Sequence, residues 1–319
     1  MEKIDKEQYR KLLMDLTIPG NIDNEHIAFK KIIDVGMKML WDHKKNTTIN
    51  ETDNDGHLSF QMTLLKSISL LKLSSGLYYF NDLNNTHLNS VFDPFGMGNI
   101  VRSQYEAFCN FNNIYIQSID SNQLAIKYYL WVIAGLNSRQ RFPTSEKTIL
   151  KREKEAHIIK NYIDLLNKNV CFESLSGSGK LNIQKCIKKR EWQIVINRNN
   201  AYKIGWHEMF SNAGVNKIYD EQYNYLSTVS HPSNLSIIQF REMYEGETLV
   251  ERVDFQSMKV MLNTSKSIVA FLIRDYITYF KLYSAFNELP VIDQMLVNVN
   301  NKNFRGDEYL LNNCLELLN

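Results

Sequence analysis

Only five prolines, Pro19, Pro94, Pro143, Pro232 and Pro290, interrupt the 319 residues of this chain. Proline lacks an amide hydrogen and its ring collides with the preceding helical turn, so its scarcity leaves long stretches where helices can run unbroken. Those stretches carry apolar side chains at three- and four-residue spacings, which line up on one face of a helix. The pattern predicts an all-α chain folded as a helical bundle. Leu64, Leu65, Ile68, Leu71 and Leu73 mark one helix, leading to Gly76 and an aromatic end at Tyr78, Tyr79 and Phe80. Leu124, Tyr128, Trp131, Val132 and Leu136 mark another, and Thr144 and Ser145 can cap a third that carries Ile149, Ile158, Ile159, Tyr162, Ile163 and Leu166. The longest runs from about Phe255 to Phe286, with Met258, Met261, Leu262, Val269, Leu272, Tyr276, Phe280 and Tyr283 on a broad apolar face suited to the spine of a bundle. Around residues 236–253 the pattern changes. Ile237, Phe240, Met243, Val250 and Val253 flank Glu245-Gly246-Glu247, which reads as a short hairpin insertion. Lys44 to His57 and Phe172 to Lys180 read as polar loops. No repeat of fixed period is visible.

Charge and cysteine content narrow the function. Thirty-seven basic against thirty-five acidic residues leave a net charge of +2, so any nucleic-acid surface must be local. The four cysteines, Cys109, Cys171, Cys186 and Cys314, have neither disulfide-framework nor zinc-knuckle spacing, which suits a reducing cytoplasm. The polar start Met1-Glu-Lys-Ile-Asp-Lys-Glu-Gln lacks the apolar stretch of a signal peptide. Ser267-Ile-Val-Ala-Phe-Leu-Ile273 meets Arg274-Asp275 well short of the roughly 20 apolar residues that span a bilayer, so no membrane association is expected. The expected organisation is an N-terminal helical segment and polar loop (1–57), a helical core (58–290) and a C-terminal helical tail (291–319).

Several short motifs invite a reading and fail it. Ser176-Gly-Ser-Gly-Lys180 lacks the first glycine of a phosphate loop and has Leu181 where the magnesium-binding hydroxyl belongs. Glu51-Thr-Asp53-Asn-Asp55-Gly56 begins like a calcium loop but reaches Met62 at the position of the bidentate glutamate. His207-Glu208 lacks the second histidine of a zinc protease helix. No metal site and no cofactor is expected. Lys180, Lys185, Lys188, Lys189, Arg190, Arg198 and Lys203 stand against the single acid Glu191, with Trp192 and Tyr202 interleaved. That composition suits an RNA-facing surface, and it equally suits a solvated helix face.

Two segments carry the chemistry that remains. Arg102 and Glu106 lie one helical turn apart, so both project from one face. Arginine before glutamate is the less favourable order for a pair that merely props a helix. In the second segment, Tyr223, Ser227 and His231 follow at steps of four, with Ser230 beside them, Pro232 after them and Asn234 just beyond. Pro232 turns His231 out of helical geometry, placing the imidazole at a helix C-terminus whose partial negative charge favours its protonated form. An arginine beside a histidine can cleave a phosphodiester without metal: the guanidinium stabilises charge growing on phosphate while the imidazole moves a proton. Glu106 would orient Arg102 or accept from His231. The same residues could instead be an ion pair fixing two helices and hydroxyls tidying a helix end.

Arg102-x-x-x-Glu106 followed by Tyr223-x-x-x-Ser227-x-x-x-His231-Pro-Ser resembles a bacterial family of helical proteins found near phage-defence and mobile-element genes, and through it the HEPN superfamily of helical-bundle ribonucleases. The resemblance covers roughly residues 60 to 285. HEPN nucleases place Arg and His four to six residues apart on one helix, whereas here Arg102 would reach His231 across the bundle. The resemblance implies a HEPN-like core and a defence or toxin-type effector acting as a metal-independent RNase, with Arg102, Glu106, Ser227 and His231 catalytic. Tyr223, Ser230, Asn234, Lys188, Lys189 and Arg190 would bind the RNA, and the effector would be a homodimer or work with a defence-system partner protein. The competing expectation is a non-catalytic interaction or sensor subunit that binds a partner protein or small ligand.

Overall fold

Helix follows the apolar periodicity along most of the chain, in a computed structural model that describes all residues except 1–5, 19–20, 47–49, 144, 217, 231–232, 246–247, 249–250 and 319. The described residues form fourteen α-helices and two small antiparallel hairpins. They group into two compact units, one of residues 1–108 with 214–319, the other of residues 109–213. The N-terminal and C-terminal helices fall in the same unit as the longest helix.

The first unit contains α1 (Lys6–Thr17), α2 (Ile22–Asn46), α3 (Glu51–Leu73), the hairpin β1 (Leu77–Asn81) and β2 (Thr86–Val91), and most of α4 (Pro94–Phe111). Its second half carries α10 (Ile218–Val229), α11 (Asn234–Glu242), α12 (Val253–Phe280), α13 (Tyr283–Asn287) and α14 (Val291–Arg305). Helix α12 packs against α2, α3 and α14. Every residue from Thr264 to Ile273 is buried, so this stretch of the helix is enclosed on all sides.

Several polar groups inside this unit pair across helices. His43 of α2 and His57 of α3 each place Nδ1 2.9 Å from the Tyr276 hydroxyl. A phenol has one proton to donate, so at least one of these imidazoles must itself donate through Nδ1–H. Burial lowers both imidazole pKa values from the ordinary 6.5, which favours the neutral rings. Asp275 of α12 meets Arg305 of α14 at 3.0 Å with both side chains fully buried, and the Arg305 guanidinium lies 3.9 Å from the centre of the Tyr309 ring. Removing one partner of such a pair strands a charge in the core.

In the second unit, α5 (Ser121–Arg139) and α6 (Glu146–Asn167) pack as a helical hairpin. They are followed by α7 (Val170–Ser174), α8 (Gly177–Lys189), the strands β3 (Ile194–Asn197) and β4 (Asn200–Lys203), and α9 (Trp206–Asn212). Ile126, Leu130, Leu166, Phe172, Ile183 and Ile194 share its core. Lys127 is buried and donates to the carbonyl oxygens of Asn113 (2.8 Å) and Gln117 (3.3 Å), at the wide helical turn 112–116 that follows α4. Its burial pushes the ammonium down to about 8.

Four local expectations are corrected. The hairpin expected around 236–253 is absent from the described residues there. Asn234–Glu242 is helix α11, capped by Ser233, whose Oγ accepts from the Ser236 amide at 3.1 Å. The apolar residues counted as strand were spaced at three and thus fit a helix. The polar stretch Lys44 to His57 is largely helical, since α2 runs to Asn46 and Asn50 caps α3 by accepting from the Asp53 amide at 2.8 Å. In Phe172 to Lys180, Ser176 caps α8, so the glycine-rich run opens a helix. The long helix stops at Phe280 because Lys281 turns left-handed (φ +57°), and the Leu282 amide closes back on the Ile277 carbonyl at 2.9 Å.

Candidate functional site

Helix α4 meets the end of α10 at Gly98, which has no side chain. A Cβ there would lie 2.5 Å from Cγ2 of Val229. The approach lets three of the residues singled out in the sequence meet. Arg102 Nε donates to Glu106 Oε1 at 3.1 Å, and the Tyr223 hydroxyl of α10 donates to the same oxygen at 3.2 Å. The guanidinium carbon lies 5.5 Å from the Tyr223 ring centre, and the Tyr105 ring packs 4.7 Å from that ring. Tyr223 is buried, whereas the Arg102 and Glu106 side chains retain 23% and 31% of their exposure.

The electrostatics follow from that geometry. Burial and the Glu106 charge both raise the Tyr223 pKa, keeping the phenol a neutral donor. Burial works against the Arg102 charge, but the hydrogen bond to Glu106, together with Tyr223 and the Glu106 charge, outweighs it and the pKa is raised. Lys66 of α3 donates to Ser103 Oγ at 2.9 Å, its pKa lowered by burial and partly restored by Glu106. Glu106 therefore holds a cation and a phenol in place at the junction of two helices. Such an arrangement can bind an anion at the Arg102 face, and it can equally fasten α4 to α10.

The remaining expected residues are placed differently. Ser227 lies one turn beyond Tyr223 on α10 and is half-buried. Ser230 returns its hydroxyl to the Leu226 carbonyl at 2.7 Å, closing the end of the helix. Asn234 is the exposed first residue of α11. His231 and Pro232 lie outside the described residues. Lys188, Lys189 and Arg190 are exposed at the end of α8, where positive charge also complements the helix dipole. Of the interleaved aromatics, Trp192 is partly buried and its indole donates to Asn110 Oδ1 at 3.0 Å, a structural use. Tyr202 is exposed on β4.

Sequence reasoning missed Lys66 and a buried chain in which Ser265 Oγ donates to Gln104 Oε1 at 2.7 Å and Gln104 Nε2 donates to Ser67 Oγ at 2.8 Å. A signal was present: Asn263-Thr-Ser-Lys-Ser267 is a run of five polar residues between Leu262 and Ile268, inside the most enclosed helix. Among the described residues no group of three or more His, Cys, Asp or Glu is placed to hold a metal ion, and no helix is long and apolar enough to cross a membrane. Compared with family models, curated proteins and solved structures, the chain matches none.

Proposed function

We propose that the protein is a metal-independent ribonuclease of the defence or toxin type, acting in the cytoplasm. The observation that carries this reading is the convergence of Arg102, Glu106 and Tyr223 from two helices into one hydrogen-bonded, partly exposed unit. In the proposed reaction the ribose 2′-hydroxyl attacks phosphorus, the P–O5′ bond breaks, and His231 moves the proton between attacking and leaving oxygens. Arg102 stabilises the charge growing on the phosphoryl oxygens, with Glu106 setting its orientation. Tyr223 steadies Glu106, Ser227 assists at the reacting centre, and Ser230 and Asn234 contact the RNA. Lys188, Lys189 and Arg190 supply phosphate contacts that hold RNA without reading sequence. Homodimerisation or a defence-system partner completes the proposal.

A second reading, a non-catalytic interaction or sensor subunit, is favoured by one specific observation. The Arg102 guanidinium is already engaged by Glu106 and the Tyr223 ring, as in a structural lock between helices. Expression of wild type, Arg102→Ala and His231→Ala, followed by growth and total RNA integrity, separates the two. RNA degradation by the wild type and by neither variant supports the ribonuclease. Intact RNA in all three strains, with each protein folded, supports the sensor.

A further inference from the structure

The first unit contains a second polar feature that the ribonuclease reading does not use. A cavity of about 380 Å³ opens between α1, α10, α12 and α14. That volume lies within the roughly 300–1,000 Å³ of small-molecule sites. Two of its lining residues are lysines, Lys259 and Lys266, and no aspartate or glutamate lines it among the described residues. Lys266 is only 6% exposed, so its ammonium is held in place with little water around it.

The charge is held by a relay. Lys266 Nζ donates to Asn263 Oδ1 at 2.6 Å, and Asn263 Nδ2 donates to Glu25 Oε2 at 3.1 Å. Glu25 is itself buried and does not line the cavity; burial lowers the Lys266 pKa, and the Glu25 charge partly restores it. An ammonium with three donors keeps capacity for a further acceptor. Gln222 and Asn303 bring side-chain amides, each both donor and acceptor, and Val299 and Phe304 bring apolar surface. Asn263, Thr264, Lys266 and Ser267 of the polar run in α12 thus line a cavity in which lysines, amides and an apolar wall are brought together.

We infer that this cavity binds a small organic anion of mononucleotide size, its phosphate or carboxylate on Lys266 and a planar, hydrogen-bonding body between the amides and the apolar wall. The site is separate in its residues from the Arg102 cluster, so it stands or falls independently of the ribonuclease proposal. It makes the protein ligand-responsive whether or not the protein cleaves RNA.

Equilibrium dialysis of the full chain with AMP, adenosine and inorganic phosphate tests this, using wild type, Lys266→Met, Val299→Phe and Arg102→Ala. Val299→Phe fills the cavity while leaving Lys266 untouched, which covers the case in which Lys266→Met fails to fold. The expected result is that AMP binds at least tenfold more tightly than adenosine or phosphate. Affinity should fall tenfold or more in Lys266→Met and Val299→Phe and persist in Arg102→Ala. Absence of AMP binding by the folded wild type overturns the inference. So does phosphate binding as tightly as AMP, or AMP binding lost in Arg102→Ala and retained in the cavity variants.

Discussion

Glu106 is the hinge of the site's chemistry at the scale of single residues, because one oxygen accepts from both Arg102 and Tyr223. Groups used as a unit are non-additive, so Arg102→Ala and Glu106→Ala are each expected to cost nearly as much RNA cleavage as the double variant. Independent additive losses in kcat/KM would show that they do separate jobs. Tyr223→Phe removes only a hydroxyl and is expected to lower stability by about 0.5–1.5 kcal/mol in urea titration. A second prediction concerns His43 and His57, whose pKa values are depressed by burial. The unfolded chain binds their protons more readily, so the stability they contribute is present above the ordinary 6.5 and is lost as pH falls through the folded values. Tm is expected to drop as pH is lowered from 7 towards 5, and His57→Gln should reduce that dependence. An unchanged pH profile in the variant would contradict the assignment. Arg102, Glu106 and Tyr223 were legible in sequence because helical spacing and an unfavourable charge order set them apart. Lys66 was not, because a lone lysine on an otherwise ordinary helix carries no local mark of its burial beside Ser103.

Among elements, the helices were legible and the hairpins were not. The period of α12 is written in its apolar residues, but its end depends on Lys281 adopting a left-handed backbone that glycine prefers. Lys281→Gly is therefore expected to stabilise the protein by about 1 kcal/mol, and a loss of stability in chemical denaturation would show that the lysine side chain matters more than its backbone. The β1–β2 hairpin was hidden because Tyr78, Tyr79 and Phe80 look like the aromatic end of a helix, and their strand is exposed on most positions instead of alternating. In the β3–β4 hairpin, Arg198 at φ +53° takes the turn, a conformation that its basic neighbourhood gave no reason to expect. Helix α11 was read as strand because Glu245-Gly246-Glu247 resembles a turn. The meeting of α4 with Val229 of α10 is likewise a tertiary property, resting on Gly98. Gly98→Val is expected to lower stability by roughly 1–3 kcal/mol through overpacking against Val229, with RNA cleavage reduced as Tyr223 moves from Glu106.

For the whole molecule, a net charge of +2 gives no general attraction to nucleic acid, so the proposed RNA binding would rest on local cations such as Lys188, Lys189 and Arg190. Clustered cations release counterions when they meet phosphate, which makes binding salt-dependent. Reversing these three residues to Glu is expected to weaken RNA binding at low salt and flatten its salt dependence, whereas unchanged affinity would return the segment to a solvated helix end. The central claim, however, concerns catalysis. Its most direct measurement is cleavage of a single-stranded RNA by purified wild type and His231→Gln, in excess chelator, with the Tm of each recorded alongside. Glutamine keeps hydrogen bonding but cannot carry a proton near neutral pH, so the account predicts cleavage by wild type, a loss of roughly 100- to 10,000-fold in the variant, and an unchanged Tm. Equal cleavage by His231→Gln, or no cleavage by the folded wild type, would contradict it.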